Sequence, residues 1–354
     1  MHTTGTKNVR AALLDASPRV RVTTGSRLHF GMFSFGNPRV RQFGGVGAMI
    51  DEPGVELSIG ESDRLEVEGP HAGRVRELAL RIARLEGLGC DAPWGIVVHR
   101  APLPHVGLGS GTQLALALAS GIDALLRRPA RPAPEIAAGL GRGERSAIGL
   151  HGFEQGGLLV EAGKTSEGEI SPLVGRASLP TDWRFVLIGP VGQRGISGDA
   201  ERRAFAALQP VSGEATAELA REALLTMLPA AVEGRFDEFS QSLFQFGRMA
   251  GRLFAAHQGG HFATPEVAAI VELVRSLGVQ GVAQSSWGPT VAALLPDEDA
   301  ARRLVTRLRE RQPSDSLEIS IAQPKNDGAR IETHDPTRTA STAASRGDYS
   351  PGPI

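Results

Sequence analysis

The chain holds a single cysteine, Cys90, which excludes intramolecular disulfides and cysteine-rich zinc sites and points to a reducing compartment. Long apolar runs are missing too. None approaches the roughly 18 to 20 residues that a membrane-spanning helix needs, and no charged-then-apolar leader opens the sequence. A cytoplasmic protein with no membrane partner is therefore the expectation. Charge of one sign is also lacking. With 38 Lys and Arg against 39 Asp and Glu, the formal net charge is −1. That balance argues against nucleic acid and anionic membranes, yet leaves room for a local basic pocket that takes a phosphorylated metabolite. Three familiar phosphate signatures are absent as well. No Gly-Lys-Ser/Thr ends a Walker loop and no GxGxxG marks a dinucleotide fold. Met49-Ile50-Asp51-Glu52 faintly resembles the acidic pair of ordinary phosphoribosyltransferases, but no Thr-rich loop follows it and it reads as a strand end.

What is present is a glycine-rich corner. Pro102-Leu103-Pro104-His105-Val106-Gly107-Leu108-Gly109-Ser110-Gly111-Thr112-Gln113 runs directly into the apolar segment 114–126, which reads as a buried helix. Glycines at alternate positions let backbone approach an anion without a Cβ in the way, and Ser110 and Thr112 add hydroxyl donors. The unpaired first-turn N–H groups and the dipole of the helix would aim at whatever the loop holds. The alternative is a plain glycine-rich turn before a helix, so the reading depends on what accompanies it.

At 354 residues and 41% hydrophobic, the chain has enough material for one large or two modest domains. Residues 1–18 read as a loose lead-in. From Arg19 the run RVRVTTGSRLHFGMFSF alternates through a Thr-Gly-Ser turn, placing Arg27 and His29 on one strand face. Short strands are expected over 44–50, 55–59 and 65–67, with Pro53-Gly54 as a turn, then a helix over 75–85 and a strand over 95–100. A proline-rich connector, 127–135, and a short helix, 135–140, lead to a second glycine-dense stretch, 141–157, either a functional loop or a long surface turn. Strands are expected over 158–161 and 185–188. Helical spacing then covers 200–208, 215–233, 236–256 and 265–277, before a strand, strand, helix, strand finish over 279–285, 290–295, 297–311 and 317–321. This is an α+β pattern, with lobes at 19–190 and 191–332 and a polar tail, 333–354, expected to be disordered. His257 and His261 have helical metal spacing, but Gly259 and Gly260 between them argue against a helix there and so against zinc.

Gly25-Ser26-Arg27-Leu28-His29-Phe30-Gly31, the Pro-x-x-x-Gly-Leu-Gly-Ser-Gly loop and a late strand-to-loop element stand in the order of the three motifs of the GHMP kinase superfamily. The spellings Ser-Arg-Leu-His-Phe-Gly, His105-Val106-Gly107-Leu108-Gly109-Ser110-Gly111-Thr112-Gln113, Gln258-Gly259-Gly260, Gln284-Ser285-Ser286-Trp287-Gly288-Pro289-Thr290 and Asn326-Asp327-Gly328-Ala329 resemble the β-ribofuranosylaminobenzene 5′-phosphate synthase family over roughly 19–331. The resemblance implies a two-lobed GHMP-kinase-like fold, with a ribosomal protein S5 domain 2-like N-terminal lobe and a ferredoxin-like C-terminal lobe. It also implies a non-kinase reaction. Phosphoribosyl pyrophosphate condenses with 4-aminobenzoate or 4-hydroxybenzoate, releasing CO2 and pyrophosphate, early in tetrahydromethanopterin biosynthesis. Mg²⁺ is expected, ATP is not, and a homodimer is the family expectation.

The chemistry asks for pyrophosphate stabilised as it leaves an oxocarbenium-like carbon and for an electron-rich ring held against that carbon. Gly107, Gly109, Ser110, Gly111, Thr112 and Gln113 are the phosphate-binding candidates, with Arg27 as a bidentate contact and His29 as a hydrogen-bonding partner of substrate or phosphate. Glu154 lies where many GHMP kinases place an acidic catalytic residue and is the candidate Mg²⁺ ligand. Arg145 and Ser146 are further phosphate candidates, as is Ser197 in Gly195-Ile196-Ser197-Gly198, followed by Glu201. Where kinases of the superfamily carry glycines, Ser285, Ser286 and Trp287 stand instead, and Pro289 removes a donor; Trp287 is either a platform for an aromatic acid or a core residue. The competing readings are an ATP-dependent small-molecule kinase and a non-catalytic metabolite-binding protein on the same fold.

Overall fold

Two long antiparallel strands, β1 (Arg19–Ser34) and β2 (Phe43–Glu61), form the spine of the first lobe. Thr24-Gly25-Ser26 is not a hairpin turn, as the sequence suggests, but an irregularity inside β1. The pairing steps from Thr24 opposite Val55 to Ser26 opposite Ile50, so residues 51–54 of β2 bulge out of the ladder. Pro53 has no N–H to contribute and its place is in that bulge, where its carbonyl accepts from Ser26 Oγ at 2.5 Å. Turn-forming residues here bend one strand and do not end it.

The computed structural model describes residues 19–88, 92–312 and 316–334; Cys90, the lead-in 1–18 and the tail beyond His334 lie outside them. After β2 come β3 (Glu66–Glu68), α1 (Ala72–Leu85), β4 (Trp94–Arg100), α2 (Ser110–Leu125), α3 (Ala133–Leu140), α4 (Ile148–Gln155), β5 (Leu158–Glu161) and β6 (Leu173–Ala177). The second lobe follows with β7 (Arg184–Pro190), α5 (Gly198–Ala207), α6 (Gly213–Glu222), a π-helical turn (Ala223–Met227), α7 (Leu228–Val232), α8 (Phe236–Arg252), α9 (Ala255–Gln258), α10 (Pro265–Ser276), β8 (Val282–Gln284), β9 (Val291–Leu295), α11 (Glu298–Arg311) and β10 (Leu317–Ala322). Finally β11 (Arg330–His334) returns to the first sheet and pairs with β1, Arg19 opposite His334. Thr333 and His334, expected in the tail, are thus strand residues. Every residue of β11 is exposed, so it lacks the alternation by which a strand is recognised.

The first sheet runs β11-β1-β2-β4-β3, with β5 on the first half of β2 and β6 beyond it. The second runs β10-β7-β9-β8, all neighbours antiparallel. A β-α-β-β-α-β succession in which the fourth strand borders the first, and the third separates first from second, is the ferredoxin-like arrangement. β7 hydrogen-bonds only within this sheet, so the lobes divide before Arg184 and not after residue 190. Its side chains alternate. Phe185 and Leu187 enter a core shared with Leu28 and Phe30 of β1 and with Phe239, Leu243 and Phe246 of α8, whereas Val186 and Ile188 enter a second core under α10 and α11. A third core lies between the first sheet and α1 to α4.

The glycine-dense stretch 141–157 contains α4, whose Ile148, Leu150 and Phe153 are buried. The helix is a core element whose small residues let it lie close against β1 and β2, while 141–147 is a connecting loop. Among the described residues, no helix is long and apolar enough to cross a membrane.

The site-facing helix α2 is anchored at its far end. Asp123, buried, accepts two hydrogen bonds of 2.8 Å from the Arg131 guanidinium. Arg131→Ala strands that carboxylate and should cost about 2 kcal/mol, below the full buried-pair penalty because the arginine is partly exposed. Urea unfolding checks this, and adding Asp123→Asn to Arg131→Ala should recover part of the loss.

Candidate active site

The helix α2 begins inside the motif that the sequence presents as a loop. Gly109, at φ 68°, is its N-cap and offers no side-chain cap. The first backbone bonds run from the amides of Thr112 and Gln113 to the Gly109 carbonyl, which leaves the Ser110 and Gly111 amides at the open end of the helix. Arginine side chains lie close against this corner: a Cβ on Gly111 would sit 2.3 Å from the movable Arg74 Nη2, and one on Gly109, already at positive φ, 2.7 Å from Arg27 Cγ.

These groups line a cavity of about 250 Å³. Arg27 from β1, Arg74 from α1 and Arg142 from the α3–α4 connection converge on it, and Ser197 and Gly198 bring a second helix N-terminus, that of α5. Among the described residues that line it, Glu201 is the one carboxylate. Burial pushes Arg27 down to about 10, with Glu201 and Glu161 opposing the shift, so it stays charged at neutral pH. Arg142 is lowered first by burial and then by the repulsion of Arg74 and Arg81, and its Nε is buried without a partner. Clustered cations with unfilled donors and two helix N-termini form a site for a polyanion.

A second cavity adjoins the first and is apolar. β1 supplies His29, Phe30 and Met32, α8 supplies Ala250, and Phe254, Phe262 and Trp287 complete most of its wall. At about 50 Å³ it is a slot, not a basin. Ser286 and Trp287 line both cavities. The half-buried Trp287 ring packs edge-on to Phe254 at 4.9 Å, Phe205 at 5.7 Å and His257 at 5.7 Å. It is anchored by core-like contacts and still forms the partition between the two spaces. Arg27 and His29 share one face of β1, and their offset along the strand lets Arg27 reach the cationic cavity and His29 the slot.

The partition is held to the phosphate corner by close contact. A Cβ on Gly288 would stand 2.4 Å from Gly107 Cα, and one on Gly107 2.4 Å from the Ser285 carbonyl. Ser285 Oγ accepts from the His29 amide at 3.1 Å and donates to the Gly107 carbonyl at 2.7 Å. Arg27 Nη1 donates to the same carbonyl at 2.8 Å, and Thr290 Oγ1 to that of Val106 at 2.7 Å.

Five sequence-derived candidates do not reach either cavity, among them Ser146, whose Oγ accepts from the Ile148 amide at 3.3 Å. Gln113 is fully buried with its amide turned inward, accepting from Thr24 Oγ1 and donating to the Gly149 carbonyl. Ser285 is consumed by the tie just described. Arg145 pairs with Glu201 at 2.9 Å and lies over the Phe205 ring at 4.7 Å, so it steadies α5. Glu154 is exposed at the end of α4, where its Oε1 accepts from the Ala133 amide at 2.7 Å and caps α3; it is not placed to hold Mg²⁺ at the phosphate corner. By contrast Arg27, Gly107, Gly109, Ser110, Gly111, Thr112, Ser197, Ser286 and Trp287 line the cationic cavity, and His29 lines the slot. Sequence reasoning missed Arg74 and Arg142. Each is one arginine among many, and only folding sets them beside the glycine corner. His257 packs edge-on against Trp287, and the described residues contain no cluster of three His, Cys, Asp or Glu able to hold a metal.

Residues 227–314 match the family model of the GHMP kinase C-terminal domain. The β-ribofuranosylphenol 5′-phosphate synthase of Methanothermobacter thermautotrophicus is 30% identical over 297 residues, covering 78% of this chain and 89% of that protein. Its namesake from Archaeoglobus fulgidus is 30% identical over 331 residues, covering 88% and 99%. In structure the chain resembles homoserine kinase from Cytophaga hutchinsonii (TM-score 0.61, 15% identity, 94% of this chain and 100% of that one) and mevalonate pyrophosphate decarboxylase from Streptococcus pyogenes (TM-score 0.60, 14% identity, 88% and 99%). At such identities the likeness shows a shared fold.

Two measurements probe this geometry. Gly288→Ala should push the partition off the glycine corner and weaken binding of a sugar diphosphate by tenfold or more, about 1.4 kcal/mol, as read by titration calorimetry. His29 is held neutral, its pKa pushed down to about 3 by burial, with the charge of Arg27 adding to the shift. The unfolded chain protonates this ring near its ordinary 6.5, so the stability it contributes is complete above that value and is lost as pH falls toward 3. Between pH 6.5 and 5 the wild type should lose about 1.5 kcal/mol more than His29→Gln in urea unfolding.

Proposed function

The chain belongs to the β-ribofuranosylphenol 5′-phosphate synthase family, an offshoot of the GHMP kinases that forms no phosphate ester, and we propose that its two adjoining cavities divide the two substrates between them. The protein is a pentosyltransferase that condenses phosphoribosyl pyrophosphate with a para-substituted benzoate, releasing CO2 and pyrophosphate, in methanopterin biosynthesis. The cationic cavity takes the sugar diphosphate and the slot takes the aromatic ring. One observation carries this division: a space lined by three arginines and two helix N-termini shares a wall, Trp287, with a narrow apolar space.

In this reading the Ser110 and Gly111 amides, Arg74 and Arg142 hold phosphoryl oxygens. Their charge favours departure of pyrophosphate, because the negative charge that builds on the leaving oxygen is met by donors already in place. Arg27 sits nearest the slot along β1 and orients the carboxylate of the ring acid or a bridging phosphate oxygen. The Trp287 face and Phe254 exclude water from the ribosyl carbon, which would otherwise be hydrolysed. Mg²⁺ usually keeps one or two carboxylates and takes its remaining ligands from phosphates and water. Glu201, the only acid among the described residues that line the cavity, fits that demand and replaces Glu154 as the residue to hold the ion. A bound Mg²⁺ would supply charge neutralisation of the diphosphate. The relatives bear the name of a phenol product, which supports 4-hydroxybenzoate over 4-aminobenzoate as the acceptor. A lone cysteine supports a cytoplasmic setting.

Incubation with phosphoribosyl pyrophosphate, Mg²⁺ and each benzoate in turn, read by mass, should yield the C-riboside 5′-phosphate with 4-hydroxybenzoate preferred. ADP formed from ATP and an alcohol, with the sugar diphosphate untouched, would establish a kinase instead. Arg74→Ala removes a charge-assisted contact of about 2 kcal/mol, so KM for the sugar diphosphate should rise about 30-fold. Ser110→Ala should lower turnover, and an unchanged rate would remove that serine from the site.

A further inference from the structure

Among the described residues that line the slot, one buried side-chain atom is satisfied by nothing in the fold. The amide of Gln284 is bonded on both sides and Gln258 donates to a neighbouring carbonyl. His261 and Ser286 also line the slot but stay at least partly open to solvent, whereas His29 Nε2 is buried there and has no partner. The ring's other nitrogen is engaged by the backbone of His29 itself, so Nε2 presents a lone pair. A buried acceptor without a partner costs free energy that a ligand donor can return. The carboxylate end of a benzoate has no proton to offer such an atom, whereas a para hydroxyl or amino group has.

Strand geometry fixes the same orientation. Arg27 and His29 are two residues apart on one face of β1, about 6.6 Å along the strand, and this spacing spans a ring acid from its carboxyl to its para substituent. With the carboxyl-bearing carbon at the Trp287 and Ser286 boundary, next to the ribosyl carbon, the para group is left for His29.

We propose that His29 Nε2 selects the acceptor by its para substituent and takes the proton of that group while the C–C bond forms, a role that rests on the decarboxylating ribosyl transfer set out above. The carboxyl-bearing ring carbon gives an electron pair to the ribosyl C1 as the C1–O bond breaks, and the pair of that bond leaves with pyrophosphate. The para O–H or N–H bond feeds its electrons into the ring, its proton passes to Nε2, and a quinoid ring results. The bond to the carboxylate then breaks. Its electron pair restores the aromatic ring, CO2 departs, and the proton returns from Nε2 to the para atom. The imidazole accepts once the ring has gained positive character, when the para O–H or N–H has become strongly acidic.

The test uses full-length wild type and His29→Gln, with His29→Asn as the second variant if the first does not fold. Unchanged affinity for phosphoribosyl pyrophosphate, within twofold, shows that the cationic cavity is intact. At pH 7 kcat should fall about 10²-fold with either acceptor. With 4-hydroxybenzoate the variant's kcat should then climb about tenfold per pH unit toward pH 9, as the substrate supplies its own phenolate. With 4-aminobenzoate, which does not ionise there, it should stay flat. A variant within threefold of wild type, or one whose loss is the same for both acceptors at every pH, would overturn the role. Wild type that makes no C-riboside from either acid would remove the reaction itself, and this step with it.

Discussion

Two glycines set the geometry of this protein. Gly107 in the corner before α2 and Gly288 in the loop between β8 and β9 come so close that neither tolerates a Cβ. Because one belongs to the first lobe and the other to the second, their contact registers the two halves of the molecule against each other. Ser285 completes the joint by bonding the His29 amide on one side and the Gly107 carbonyl on the other. Neutral hydrogen bonds of this kind contribute about 1 kcal/mol each, modest beside the shared core of Leu28, Phe185 and Phe246. Their value is positional: the core holds the lobes together, and the glycine joint decides where Trp287 stands.

From that placement follows a sharp electrostatic boundary. On one side of Trp287 Arg27, Arg74 and Arg142 gather, Arg74 repelling Arg142; on the other, His29 is held neutral by burial and by the charge of Arg27. The same cation therefore serves both spaces, since it attracts phosphate in one and suppresses protonation in the other. A group two residues away on the same strand face is close enough to feel that field, while the indole wall keeps water from screening it.

The fold is that of kinases, yet the groups facing the cavity do not require a nucleotide. Function resides in the site and not in the architecture. Trp287 stands where the resemblance to the superfamily's kinases implies a glycine, and Pro289 withholds a donor. In this chain Trp287 is the wall that separates the cationic cavity from the slot. Glu154, in the segment where a kinase-like acid would be sought, is spent on capping α3, and the acid of the cavity is Glu201, from the opposite lobe.

The α+β class, the glycine corner, the strand-face pairing of Arg27 with His29 and most helices were legible from the chain alone, because local periodicity and glycine spacing express backbone demands that adjacent residues settle among themselves. The bulge of residues 51–54, the helix within 141–157 and the return of β11 were not, since each is stabilised by partners far away in sequence. For the same reason Gln113, Ser285, Arg145 and Glu154 resembled ligands in one dimension but proved to be bonded to the fold. Side chains name the chemistry that is available, and long-range contact decides which of them is left with an unfilled bond. Arg74, Arg142 and Glu201, drawn from three separate segments, acquired their meaning only when the lobes closed around one cavity.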